Sequence, residues 1–211
     1  PFKNDGTVVD DWTLKLLERF HYSWVFEMKE YLSGKDFKSL MKLVGVEERK
    51  KYDIFPVKEK VFAAYSKPLS NTRVVFINQY PYASANANGY CFATDSIKKP
   101  VFLEMIEKSL KISISSDNEL PNSLSNWSNQ GVLLLNSSLT ARAKQRDSHE
   151  EHWMEFFRKV LSVLAKQKEP IFWVLFGEAK KFQEYVPLSH KVIYVEHPEE
   201  AYHRKEIWNN N

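Results

Sequence analysis

The 211-residue chain holds a single cysteine, Cys91. That excludes an intramolecular disulfide and any zinc site built on several thiolates, and it suits a reducing compartment. Long hydrophobic runs are also missing: the longest apolar segments, "GVLLLN" and "IFWVLF", fall far short of the roughly 20 residues that span a bilayer. With no signal-peptide pattern either, a cytoplasmic protein without membrane association is expected. No internal repeat, low-complexity tract or Gly/Ser linker divides the chain, and its length suits one well-buried domain better than two. Nor is there a large excess of charge of one sign. The net charge of +3 permits contact with a polyanion without requiring it, and the basic clusters "EERKKYD" and "SIKKP" read as solvated surface.

What is present is a globular composition, 43% hydrophobic and 14% aromatic with 27% charged residues. Residues 1–54 read as amphipathic helices, with Leu14, Leu17 and Phe20 on one apolar face, then Val25, Met28 and Leu32, and Gly34 just beyond as a stop. Phe102, Ile106, Ser109 and Leu110 mark another helix face. The clearest helix begins at Ser148, where Glu151 three residues on suggests a capping box, and its stripe of Trp153, Phe156, Phe157, Val160, Leu161 and Leu164 reads as core. Between these lie four short runs rich in β-branched or aromatic residues: Val74 to Ile77, Val132 to Leu135, Ile171 to Phe176 and Val192 to Val195. Apolar strands separated by helices indicate a parallel sheet covered on both faces. The expected fold is α/β: a single-domain three-layer αβα sandwich on a central four-stranded, mostly parallel sheet, with 1–54 as its helical part and 55–211 as the core.

Each predicted strand ends in a polar or conformationally special residue: Asn78, Asn136, Gly177 and, two residues past the last strand, His197. Ligands of open parallel sheets bind beyond the carboxyl ends of the strands, so these ends should share one crevice. The loop after the first strand, "NQYPYASANANGYCF", has turn chemistry able to expose backbone N–H groups near Gln79 and Tyr80. Phe92 follows it, and an aromatic ring beside an amide-lined pocket suits a planar heterocycle, stacked on its face and read at its edge. The Asn136 amide offers a donor and an acceptor side by side, the complement of a pyrimidine edge. Taken alone, an Asn after a strand is more often a turn former. His197 could donate a hydrogen bond to an oxygen on which negative charge develops.

The order "INQYPYASANANGYCF", "LSNWSNQGVLLLNSSLTARAKQRDSH", "FWVLFGEAKK" and "VIYVEHPEEAYHR" resembles the family 1 uracil-DNA glycosylases over roughly Phe55 to Arg204. The resemblance implies a monofunctional glycosylase that flips a uracil nucleotide out of DNA and cleaves its N-glycosidic bond without metal or organic cofactor. It assigns base stacking to Phe92, base reading to Asn136 and stabilisation of the leaving anion to His197. Gln79 would supply a loop amide, and Tyr82 would close the space beside C5 and so exclude thymine. Two positions depart from the family pattern. Tyr80 stands where the family has the Asp that orients water and faces the sugar cation, and a phenol is neutral at physiological pH. In the loop that wedges into DNA, Glu199 and Ala201 replace a phosphate-contacting Ser and an intercalating Leu, leaving Tyr202 as a substitute wedge and Arg204 as a further DNA contact. Two readings stay open. One is an active, divergent glycosylase for uracil or a modified pyrimidine such as those of phage DNA. The other is a catalytically impaired homologue kept as a DNA- or protein-binding module. In either case DNA is the expected partner, a protein partner is conceivable, and the chain is expected to be monomeric.

Overall fold

The structure, a computed structural model, describes residues 17–50, 52–114 and 119–204. Leu14 of the first predicted helix face therefore lies outside the described residues. Helix α1 (Tyr22–Ser33) starts where His21 accepts a hydrogen bond from the Ser23 N–H, and it buries Trp24, Met28 and Leu32 at four-residue spacing. It stops at Gly34, where a Cβ would stand 3.1 Å from the carbonyl oxygens of Glu30 and Tyr31. Helix α2 (Lys35–Arg49) follows at once and adds Phe37, Leu40, Met41 and Val44 to the core.

The strands β1 (Ile54–Phe55) and β4 (Ala141–Arg142) form a small antiparallel pair. The main sheet contains β2 (Val74–Asn78), β3 (Val132–Asn136), β5 (Phe172–Phe176) and β6 (Lys191–Val195), in the order β3-β2-β5-β6 with every neighbouring pair parallel. Helices α3 (Val101–Ile114) and α4 (Ser125–Asn129) connect β2 to β3, and α5 (Glu150–Ala165) connects β4 to β5. Side chains alternate along each strand, and the two faces pack into separate clusters. Val75, Ile77, Leu133, Leu135, Trp173 and Leu175 join α1, α2 and α5 on one side. Leu134, Phe176, Val195, Cys91 and Phe92 join Leu103 and Ile106 of α3 on the other. The expected three layers are therefore present, with residues 22–49 built into the same core as the sheet.

Two expectations change in detail. The last strand is not covered on both faces: β6 lies at the sheet edge, Ile193 and Tyr194 are exposed, and only Val195 is buried. Helix α5 begins at Glu150 with His149 at the cap position, and Ser148 is not the cap. The Ser148 hydroxyl instead accepts the Arg142 N–H at 2.8 Å, tying the approach of the helix to β4.

His149 anchors that helix through a buried relay. The Trp153 indole can only donate, so Thr140 Oγ1 accepts from Nε1 at 2.7 Å and gives its own hydrogen to His149 Nδ1 at 2.8 Å. The remaining ring proton then sits on Nε2, 2.8 Å from Glu47 Oε2. Arg142 clasps the same carboxylate, with Nε 2.9 Å from Oε2 and its second nitrogen on Oε1. The Arg142 hydrogen bonds lead the lowering of the Glu47 pKa from 4.5 to about 2. A depressed carboxylate stabilises the fold fully above its unfolded value, and the contribution is lost as pH falls from 4.5 toward 2. Glu47→Gln is expected to cost about 3 kcal/mol in urea unfolding at neutral pH, and the difference from wild type should vanish in acid.

Candidate active site

Parallel pairing places Asn78 of β2 directly beside Asn136 of β3. Pairing persists past the strand end: Ser137 N–H donates to Asn78 O and Ser138 N–H to Gln79 O, each at 2.9 Å. Asn78 Nδ2 donates to Asn136 Oδ1 at 3.3 Å and to Tyr80 O at 3.1 Å. From β3 the chain crosses back to the other side of β2, so the carboxyl ends of β2 and β5 flank a topological switch point.

A cavity of about 670 Å³ opens there, and Gln79, Tyr80, Tyr82, Phe92, Gly177 and His197 all line it. Six residues singled out by sequence thus meet in one cleft. Asn136 is not part of that lining; it is 2% exposed and reaches the cleft wall through Asn78. Asn78 itself, read before only as a strand end, is a wall residue.

The His197 ring lies between two aromatics, 5.6 Å from both Phe92 and Phe102 by ring centroids. Its Nδ1 accepts the backbone N–H of Glu199 at 3.1 Å, so the neutral ring carries its proton on Nε2 and can donate with it. Burial lowers the His197 pKa, outweighing the opposite pull of Glu199. Gly177 makes room for this ring: at φ +52° it occupies the left-handed region, and a Cβ there would come within 3.1 Å of His197 Cβ. Phe92 takes the same region at φ +60° while remaining 5% exposed, a conformation that costs a bulky residue about 1–2 kcal/mol. Its ring meets Phe176 edge-on at 4.7 Å. Tyr82 donates to the Phe92 carbonyl at 3.4 Å, fixing wall and ring together.

Tyr80 donates its hydroxyl hydrogen to Glu150 Oε2 at 2.6 Å, and Lys181 holds Oε1 of the same carboxylate at 2.8 Å. Burial, followed by the hydrogen bond and charge of Glu150, pushes the Tyr80 pKa upward, so the phenol stays protonated. Glu150 and Lys181 gave no signal in the sequence, being 70 and about a hundred residues from Tyr80. Phe102, read only as part of an apolar helix face, lines the cleft.

The segment expected to wedge into DNA is helix α6 (Pro198–Arg204), which begins with Pro at a position where its missing N–H costs nothing and packs against α3. Ala201 turns inward and is 1% exposed; Tyr202 is half exposed with its ring edge-on to Phe102 at 6.2 Å. Arg204 grips both Glu196 oxygens at 2.8 and 2.7 Å. At the cleft mouth Arg146 does the same to Glu199, at 3.0 and 2.7 Å. No cluster of three or more metal-ligating side chains occurs among the described residues, and no described helix is long and apolar enough to cross a membrane.

An aromatic ring, a neutral histidine and strand-end amides share one cleft at the carboxyl edge of a parallel α/β sheet. Residues 65–210 match the family model for the Uracil DNA glycosylase superfamily, and the chain belongs to that superfamily. A "Uracil-DNA glycosylase" of Azobacteroides pseudotrichonymphae is 34% identical over 168 residues, covering 77% of this chain and 76% of the relative. A "Uracil-DNA glycosylase 2" of Bacteroides fragilis is 34% identical over 182 residues, covering 83% and 82%. The crystal structure of mimivirus uracil-DNA glycosylase shares the fold with a TM-score of 0.81 at 19% identity, over 95% of this chain and 91% of that one.

Nitrogen NMR is expected to show His197 protonated on Nε2 at neutral pH, taking its second proton only below 6.5; a doubly protonated ring at neutral pH would contradict the geometry. Gly177→Ala is expected to lower stability by about 1–2 kcal/mol and to shift the His197 resonances, because backbone and ring must both move.

Proposed function

We propose that the protein is a DNA glycosylase that receives an extruded uracil in the cleft and hydrolyses its N-glycosidic bond. The observation that carries this reading is His197: a neutral imidazole, fixed by the Glu199 N–H so that Nε2 donates, beside the ring of Phe92. The base would stack on Phe92, with Gln79 supplying an edge contact and Asn136 acting through the Asn78 amide it holds at the wall. As the bond breaks, its electron pair leaves with the base, and the Nε2–H bond strengthens as charge grows on the base oxygen. Water then adds to the sugar cation. Tyr82, held against the Phe92 carbonyl, favours a pyrimidine bare at C5 and makes uracil the first substrate to test. Tyr202 is the side chain of α6 suited to fill the stack after extrusion. Arg204 and Arg146 would exchange their glutamate partners for phosphates.

A second reading, a binding module without catalysis, is favoured by the protonated phenol of Tyr80 where the family pattern has a carboxylate. Base release from single- and double-stranded oligonucleotides separates the two. Uracil is expected to be released and thymine retained, with His197→Ala slowing release by about 10²-fold or more and Asn136→Ala weakening it as well. Tyr82→Ala should admit thymine. Release only from hydroxymethylated or glucosylated bases would move the substrate to modified pyrimidines. DNA binding without any release would establish the binding module.

A further inference from the structure

The glycosylase reading leaves one chemical task without an owner. Water adding to the sugar cation must lose a proton, and Tyr80, a neutral phenol, occupies the cleft wall where the family pattern supplies a carboxylate. Other acids near the cleft are committed or at its rim: Glu199 is gripped by Arg146, Glu196 by Arg204, and Glu178 and Glu200 are exposed. Glu150 differs. It is the first residue of α5, held in place by the buried His149 relay beside it, and it meets the cleft only through the Tyr80 hydroxyl.

We propose that Glu150, acting through Tyr80, accepts the proton of the attacking water, so that a tyrosine–glutamate pair performs the work of the missing aspartate. Because the Tyr80 hydrogen is given to Glu150 at 2.6 Å, the phenolic oxygen can only accept further bonds, and a water in the cleft can donate to it. The C1′–N bond breaks first and its electron pair goes to the base, which His197 Nε2–H stabilises. The water oxygen bonds to C1′. Its proton passes to Tyr80 Oη as the phenolic proton passes to Glu150 Oε2, and the base anion takes a proton on release. Glu150 then returns its proton to solvent along the Lys181 side, where the ion pair is partly exposed. Free phenolate is never needed. Water bonded to C1′ is an oxonium, far more acidic than a carboxylic acid, so even a weakly basic carboxylate can receive its proton. The Glu150 charge, conveyed through a polarised phenol, also faces the developing sugar cation. Glu150 is in these terms a positioning residue and Tyr80 a catalytic one.

The test is single-turnover uracil release from an oligonucleotide, with DNA affinity measured separately. Glu150→Gln keeps an acceptor for Tyr80 but removes the charge; Tyr80→Phe removes the relay and leaves the Glu150–Lys181 pair intact. Each is expected to slow the chemical step by about 10²-fold with DNA affinity unchanged. The double variant should be no slower than either single, because the two act as one unit. Tyr80→Asp placed in the Glu150→Gln protein should restore release, which also shows that the protein still folds. Full activity in Glu150→Gln, multiplicative losses in the double variant, or no recovery with Tyr80→Asp would each overturn the relay while leaving the glycosylase reading standing. No release by the wild-type protein would overturn that reading, and the relay with it.

Discussion

Everything in the cleft depends on β2 being hydrogen-bonded on both sides in parallel register. A central strand with two ladders cannot slide by one residue without turning its whole core face outward, so Val75 and Ile77 fix where the strand ends as firmly as they fill the core. Parallel pairing requires crossovers, which puts every carboxyl end at one edge of the sheet. Asn78 and Asn136 therefore finish level and bond to each other, and the chain that leaves β2 has nowhere to go but over the crevice. Gln79, Tyr80 and Tyr82 stand in the cleft because they are the first residues past that point.

The cleft is rich in charge yet holds its two central polar groups neutral. Arg146, Arg204 and Lys181 each engage a glutamate, Lys144, Glu178 and Glu200 stand at the exposed rim, and deeper in are a histidine whose pKa burial lowers and a tyrosine whose pKa burial and Glu150 raise. Two neutral groups with defined proton positions, one a donor and the other an acceptor toward the cleft, suit a reaction in which charge appears only in the transition state. The cost is local strain at Phe92, which takes left-handed backbone to present its ring, whereas Gly177 adopts the same region freely and leaves room for His197. Such strain persists because the residues around it are over-determined by packing, as the Phe92–Phe176 contact and the Tyr82 bond illustrate.

Much of this was legible beforehand for a simple reason: hydrophobic period and strand-end chemistry are local signals. The four strands, the stripe from Trp153 to Leu164 and the shared crevice all follow from residues within a few positions of one another. The place of Phe102 in the cleft was not legible because a helical apolar pattern cannot say whether a ring faces the sheet or the mouth of a cleft. Ser148 looked like a cap because its spacing to Glu151 fits one, yet its hydroxyl is taken by the Arg142 N–H, a partner supplied by the β4 pairing. The helix over Pro198–Arg204, which buries Ala201 and presents Tyr202, was read as a loop by resemblance.

The sequence by itself determined the α/β class, the superfamily and most of the cleft's inventory: Gln79, Tyr80, Tyr82, Phe92 and His197, with Asn136 just behind the wall. Tertiary structure alone decided what those groups can do. The Glu199 amide selects which nitrogen of His197 holds the proton, and burial together with the Glu150 carboxylate directs the phenolic hydrogen of Tyr80 and holds it there. Protonation and tautomer are set by neighbours within about 3 Å, and those neighbours come from segments that only the folded chain brings together.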